Sequence, residues 1–389
     1  MRAIRRSKPV AGVWLLCALL VASMAEGAAH GASAAGSSEG RPARRAATLR
    51  SGERDSIDLT KSIVFVAWKK TDIAREYIYK ARSDGSHLKR LTSTGRDLDP
   101  HWSPDHRKIA FLRERGTVRE LWTMRRDGSR ERKVAEGDVQ DFDWFPNSRS
   151  LVFVRRSRRG NRTLHIVRPH EDREDQIDVG NLQPGAPDVS PDGRTIAFVT
   201  RVETTDGPTG DLYTIAIDGS ELTNLTHNPE GVLTGDPDWS PDGETIAFTT
   251  SIDDPRGDDD IYTSQIYTIR PDGSDPLRLT RHETTLKGNP KWNAQGTLVA
   301  YTMACDSDYC FGWNEVAVAP ADGSGERLLT NTRRRFEGSI VWAPDGSRVA
   351  FTSFRISSVN SHLFTMSLED TRPTKILEWT NLGIAWPDW

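Results

Sequence analysis

The sequence predicts an all-β fold, a seven-bladed β-propeller of four-stranded blades whose ring closes by pairing a C-terminal strand with N-terminal strands. Three observations carry this. A unit of four short strands recurs along residues 58–389, and several copies hold the same two turn signatures in the same order. Copies are spaced by about 42 to 53 residues, the length of a propeller blade. The two chain ends supply complementary fragments of one unit. An open stack of sheets would leave two unpaired edges, which ring closure hides.

The clearest copy runs from Gly235 to Thr280. Asp238-Trp239 leads in, Thr245 to Thr249 and Gln265 to Arg270 read as strands, and Leu277 to Thr280 ends the unit. Ser240-Pro241-Asp242-Gly243 presets φ with proline and frees it with glycine, and Asp272-Gly273-Ser274 is a hairpin signal. The first strand of the chain is Ser62 to Trp68, followed by Tyr77 to Ala81 and Leu88 to Thr92, which makes three strands of a unit without its lead-in. Copies then begin at Asp99, at Gln140 in degraded form, at Ala186, at Gly235, at Gly288 and at Gly338. Gly383 to Trp389 supplies the missing lead-in.

Residues 1–25 differ from the rest. Arg2, Arg5, Arg6 and Lys8 precede an apolar run from Val10 to Ala22, and Ser23-Met24-Ala25 offers a small-residue cleavage site. This pattern predicts a secretory signal peptide, hence a secreted or periplasmic protein. Residues 26–57 are rich in Ala, Gly, Ser and Arg and read as a flexible linker. Without residues 1–25 the balance is 48 Lys/Arg against 55 Asp/Glu. That charge gives no case for nucleic acid, and no later apolar run is long enough for a transmembrane helix. A monomer is expected.

The order W-S-P-D-G, I-A-F, I-Y-x-I, D-G-S, L-T resembles the repeat of the TolB-type (WD-like) β-propeller family, over about residues 62–389. The resemblance implies the propeller only. The separate N-terminal domain of TolB has no expected counterpart in residues 26–56. The repeat residues are core and turn residues, and the same propeller serves as scaffold, receptor and accessory domain of peptidases and glycan-active enzymes.

Propeller topology places the S-P-D-G and D-G-S turns on one face and the variable loops on the other. Those loops are Arg155 to Arg162, Glu203 to Gly210, Ile252 to Tyr262, Cys305 to Gly312 and Arg355 to Ser361. Binding usually resides on variable loops held by a rigid scaffold. Residues 101–200 hold 19 Lys/Arg against 16 Asp/Glu, while residues 201–270 hold 3 against 15. Arg155, Arg156, Arg158 and Arg159 form a basic loop and Asp258, Asp259 and Asp260 an acidic one, with Arg333, Arg334 and Arg335 on a blade connection. They read either as solvated loops or as a docking face for a charged protein segment or polysaccharide.

One and three residues before the motif Trp (Val189 in one copy) come Asp99 and His101, Asp141 and Asp143, Asp188, then Asp236 and Asp238. The remaining copies carry Asn289 and Lys291, Ser339 and Val341, and Gly383 and Ala385. These positions are expected at the channel mouth, on the face that varies. Two readings stand: oxygen ligands for Ca²⁺, or carboxylates capping local backbone amides of their own strands. Cys305 and Cys310 are expected to pair in an oxidising compartment. No P-loop or H-E-x-x-H occurs, and no G-x-S-x-G elbow occurs in the repeats of residues 58–389. The expectation is a non-catalytic propeller that binds a protein or peptide. The alternatives are a glycan lyase or hydrolase working at the channel and a Ca²⁺-stabilised structural propeller.

Overall fold

A computed structural model of the 389-residue chain describes residues 62–69, 72–204, 207–252, 263–281, 285–304, 314–332, 335–355, 358–377 and 382–389. These lie in one compact unit, Leu59–Trp389. The expected signal peptide and linker, the acidic loop with Asp258, Asp259 and Asp260, Arg333, Arg334, and the pair Cys305 and Cys310 lie outside the described residues. No helix among the described residues is long and apolar enough to cross a membrane.

Seven four-stranded antiparallel sheets follow one another along the chain. The first blade is shared by the chain ends: Lys89–Arg90, Asp72–Arg82 and Ser62–Lys69 pair in that order, and Leu382–Asp388 completes the sheet. The C-terminal strand lies beside Ser62–Lys69, with Val66 opposite Ala385 and Trp68 opposite Gly383. The innermost strands of blades two to seven are Asp97–Trp102, Asp138–Trp144, Pro184–Val189, Thr234–Trp239, Lys287–Trp292 and Phe336–Trp342. Each is longer than the brief lead-in read from sequence. The third blade is complete, because Arg173–Ile177 supplies an outer strand without a D-G-S turn. Residues 203–210 are not a simple loop: Val202–Thr204 and Gly207–Thr209 pair as a small extra hairpin.

The repeat motifs have clear physical roles. In the S-P-D-G turns the Ser240 hydroxyl donates to Asp242 and accepts from the Thr245 amide, while Gly243 takes φ 73°. The D-G-S turn is closed by the Ser274 amide and hydroxyl on Asp272 Oδ1 (2.9 and 2.6 Å). Alternating apolar residues of adjacent sheets interlock to form the cores. Ala197 and Leu212 of the fourth blade, for example, pack with Trp239, Ile246 and Phe248 of the fifth. A propeller is thus held together sheet against sheet around the ring.

Candidate functional site: the channel strands and the loop-face hairpins

The innermost strands carry a β-bulge three residues before the motif position. Asp99, Ala186, Asp236, Asn289, Ser339 and Trp386 all sit there in the left-handed region, with φ between 43° and 52°. Asp and Asn tolerate that conformation better than most residues. Backbone geometry therefore accounts in part for Asp99 and Asp236. Trp386 occupies the bulge, so Trp389 is the motif residue of the closing strand and Asp388 stands one before it. This corrects the assignment of Gly383 and Ala385 to the channel positions. A Cβ on Gly383 would lie 2.1 Å from the Trp68 indole, so the glycine is there to admit that ring. The overlooked signal is Pro387-Asp388-Trp389, which repeats Pro237-Asp238-Trp239.

The channel carboxylates reach across to the next blade rather than capping their own strands. Asp388 accepts the Trp102 amide (2.6 Å), Asp143 that of Val189 (3.0 Å), Asp188 that of Trp239 (2.7 Å) and Asp238 that of Trp292 (2.7 Å). A second rung joins Asp141 to the Ala186 amide (3.4 Å) and Asp236 to that of Asn289 (3.2 Å). The motif indoles add a bond of their own across the blades: Trp144 Nε1 donates to the His101 carbonyl (3.2 Å), Trp239 Nε1 to that of Asp188 (3.3 Å) and Trp342 Nε1 to that of Lys291 (2.8 Å). Asp99 is different, because its Oδ1 lies 3.3 Å from His101 Nε2 within the same strand.

These groups stand at the tight-turn end of the channel. Each inner strand runs from the variable-loop face toward its S-P-D-G turn, and Asp238 is the fifth of six residues in Thr234–Trp239. The expectation that Asp236 and Asp238 lie on the variable face is therefore corrected.

The channel groups lie deep in the ring, though Asp99, His101 and Lys291 keep side-chain exposure to the channel itself, and this setting governs their charge. Burial disfavours ionised His101, but the charge and hydrogen bond of Asp99, with Asp388 and Asp143 beyond, raise its pKa to about 9. Burial likewise opposes ionisation of Asp99, yet His101 holds it below the ordinary carboxylate range. Burial pushes Asp143 up to about 6. Burial, reinforced by the charges of Asp143 and Asp238, pushes Asp188 well above its ordinary value. Lys291 donates to Asp238 (2.7 Å) and is held in its charged form against the cost of burial by Asp238, Asp188 and Asp143. Among the described residues no three His, Cys, Asp or Glu side chains converge as metal ligands.

On the other face, the predicted basic loop divides. Arg155 is held by Glu174 through both guanidinium nitrogens (2.7 and 2.9 Å) and by the Glu136 carbonyl, and it lies over Phe153. It is part of the scaffold rather than a free docking group. Arg156 pairs with Asp138 (2.8 Å), while Arg158 and Arg159 are exposed at the hairpin tip. Arg335 donates to Ser353 Oγ (2.6 Å). A buried network, Asp97–Arg113–Glu131 (2.5 and 2.8 Å), underlies the neighbouring tip of the second blade, with Arg113 over Trp122.

The TolB beta propeller domain model matches residues 171–389. Among curated proteins none matches the sequence. Solved structures share the fold at low identity. TolB from Acinetobacter baumannii aligns at 19% identity and TM-score 0.51, over 85% of this chain and 67% of that one. The β-propeller domain of the Trilobed protease from Pyrococcus furiosus aligns at 15% and 0.61, over 82% and 95%. An oligogalacturonate lyase from Vibrio parahaemolyticus aligns at 13% and 0.57, over 81% and 86%. The Pyrococcus propeller is described as having an open velcro topology. Here Leu382–Asp388 pairs with Ser62–Lys69 and closes the first sheet. At these identities the likeness concerns the fold alone.

Proposed function

The chain belongs to the TolB beta propeller domain family, and on that premise we propose that it is a binding propeller of the cell envelope or exterior whose partner is a protein or peptide seated on the variable-loop face. One observation carries the reading. Asp141, Asp143, Asp188, Asp236 and Asp238, the acids best placed for catalysis, each accept a backbone amide of the neighbouring blade. A carboxylate so engaged holds the ring together and is a poor proton shuttle. The hairpins of the other face vary from blade to blade, and at one tip Arg158 and Arg159 are exposed with no such structural task. The signal-peptide pattern of residues 1–25 supports the envelope or exterior as its site.

Site-directed photo-crosslinking tests this. A crosslinking residue at Thr117 or Ser157, on the loop face, should capture a discrete partner in an extract of the source envelope. One at Asn147 or Glu244, exposed in the S-P-D-G turns, should capture none. The reverse pattern overturns the proposal. A second reading, an enzyme acting on glycans, rests on the Asp99–His101 pair, whose side chains keep 31% and 38% exposure in the channel. Cleavage of an oligosaccharide that is abolished by His101→Gln would establish it.

A further inference from the structure

Two adjacent hairpin tips on the loop face carry cations whose neighbouring acids are already paired. In the second blade, Lys108–Arg115 turns into Val118–Arg125. In the third, Leu151–Arg156 turns into Arg162–Arg168, closed by the Gly160 amide on the Ser157 carbonyl (2.9 Å). The tips meet at Asp138, which accepts the Arg119 amide (3.4 Å) and pairs with Arg156 (2.8 Å). Nearby, Glu114 pairs with Arg96 (3.5 Å) and Glu120 with Lys133 (3.3 Å). With these acids neutralised, Arg115, Arg119, Arg158, Arg159 and Arg162 have no ion-pair partner among the described residues. Arg115, Arg158 and Arg159 are exposed, while Arg119 and Arg162 are half-buried toward the inner strands, where both act on the Asp141 carboxylate and Arg119 donates to Gln140 (3.0 Å).

We infer that this arc, from Arg115 to Arg162, docks an acidic peptide segment, one carrying several Asp or Glu side chains in extended form. The inference rests on the reading of the loop face as the binding face and names the chemistry of the partner. Arginine forks match carboxylates in bidentate geometry. The overall charge of the chain is −3, so the arc stands against an acidic background. Residues 113–119 and 155–162 contain no aromatic side chain. Nucleic-acid bases are held largely by stacking on such side chains, and sugar rings pack on them too. Exposed Thr117, Ser157 and Asn161 stand between the arginines, where they can bond to a peptide backbone.

The test is fluorescence anisotropy with the full chain and three probes: a labelled Glu/Asp-rich decapeptide, the same decapeptide with every acid replaced by its amide, and a polyuronate of equal charge. The acidic peptide should bind and the neutral one should not. Arg158→Glu with Arg159→Glu should weaken binding by ~10-fold or more. Arg149→Glu with Arg194→Glu makes the same change of charge in the S-P-D-G turns and should weaken it by less than ~2-fold. Equal weakening by both pairs, polyuronate binding as tight as the peptide's, or no binding in ~50 mM salt each overturn the inference. If the peptide fails while crosslinking from Ser157 still captures a partner, only this inference falls and the loop-face reading survives.

Discussion

Removing the carboxylate of Asp238 should loosen the ring more than neutralising it does. Asp238 Oδ2 accepts the Trp292 amide and Oδ1 the Lys291 ammonium, both at 2.7 Å. Asp238→Ala orphans the amide, a cost of about 1–3 kcal/mol. It also removes an ion pair whose Lys291 side chain is 44% exposed, and at that exposure the pair contributes only ~0.5–1 kcal/mol. The sum is about 2–4 kcal/mol. A propeller of about 330 residues unfolds with an entropy near 0.7 kcal/mol/K, so Tm should fall by ~3–6 °C. Asp238→Asn keeps an oxygen for the amide and should lose only ~1 °C. Asp188→Asn should be neutral or stabilising near pH 8. It retains an acceptor for the Trp239 amide and removes the repulsion from Asp143 and Asp238 that helps lift the Asp188 pKa. Thermal melting followed by circular dichroism reads all three. Equal losses for Asp238→Ala and Asp238→Asn, or a drop of more than ~3 °C for Asp188→Asn, would refute the account of the channel acids as inter-blade acceptors.

Further outcomes follow from the same structure. Stability should be greatest near pH 5 and fall toward pH 8, above which Lys287, lowered to about 8 by burial, opposes the trend. Burial raises Glu76 and Glu337 to about 7 and Asp143 to about 6, so the folded chain binds more protons than the unfolded one between the ordinary carboxylate range and those values. His101, raised to about 9, contributes stability that is complete below about 6.5 and lost as pH rises through 9. A Tm that rises from pH 5 to 8 would contradict this, and His101→Gln should flatten the upper half of the curve. Gly383→Ala drives a methyl into the Trp68 indole and should cost about 1–3 kcal/mol. It should open the closing strand first, read as faster amide exchange at Leu382–Asp388. Millimolar Ca²⁺ should leave Tm unchanged, because the channel oxygens are engaged with amides; a rise of several degrees would assign a cation there.

The fold was legible because its turns are written in local chemistry. Pro241 and Gly243 fix one turn and Asp272 and Gly273 the next, and each acts within a few residues of itself. The complementary ends disclosed the closure for the same reason. The site was less legible because its bonds join distant residues. Nothing local in Asp188 reveals that its acceptor serves the amide of Trp239, 51 residues on. The positions were found, and amide capping was one of the readings, but that the amides belong to the next blade was not. The end of the chain misled because Trp386 and Trp389 compete for the motif position, and only the bulge at Trp386 with the Pro387-Asp388-Trp389 match decides between them. Arg155 read as one of a free basic run. Its bidentate bond to Glu174, on the paired outer strand of that blade, sets it apart from Arg158 and Arg159.

The central claim is that the channel holds the ring and the variable-loop face binds. Affinity capture from the source envelope tests it most directly, comparing the wild type with Asp99→Asn/His101→Gln and with Arg158→Glu/Arg159→Glu. The account predicts that the channel pair retains the partner and the loop-face pair loses it. Loss of the partner from the channel pair, with retention by the loop-face pair, would contradict it.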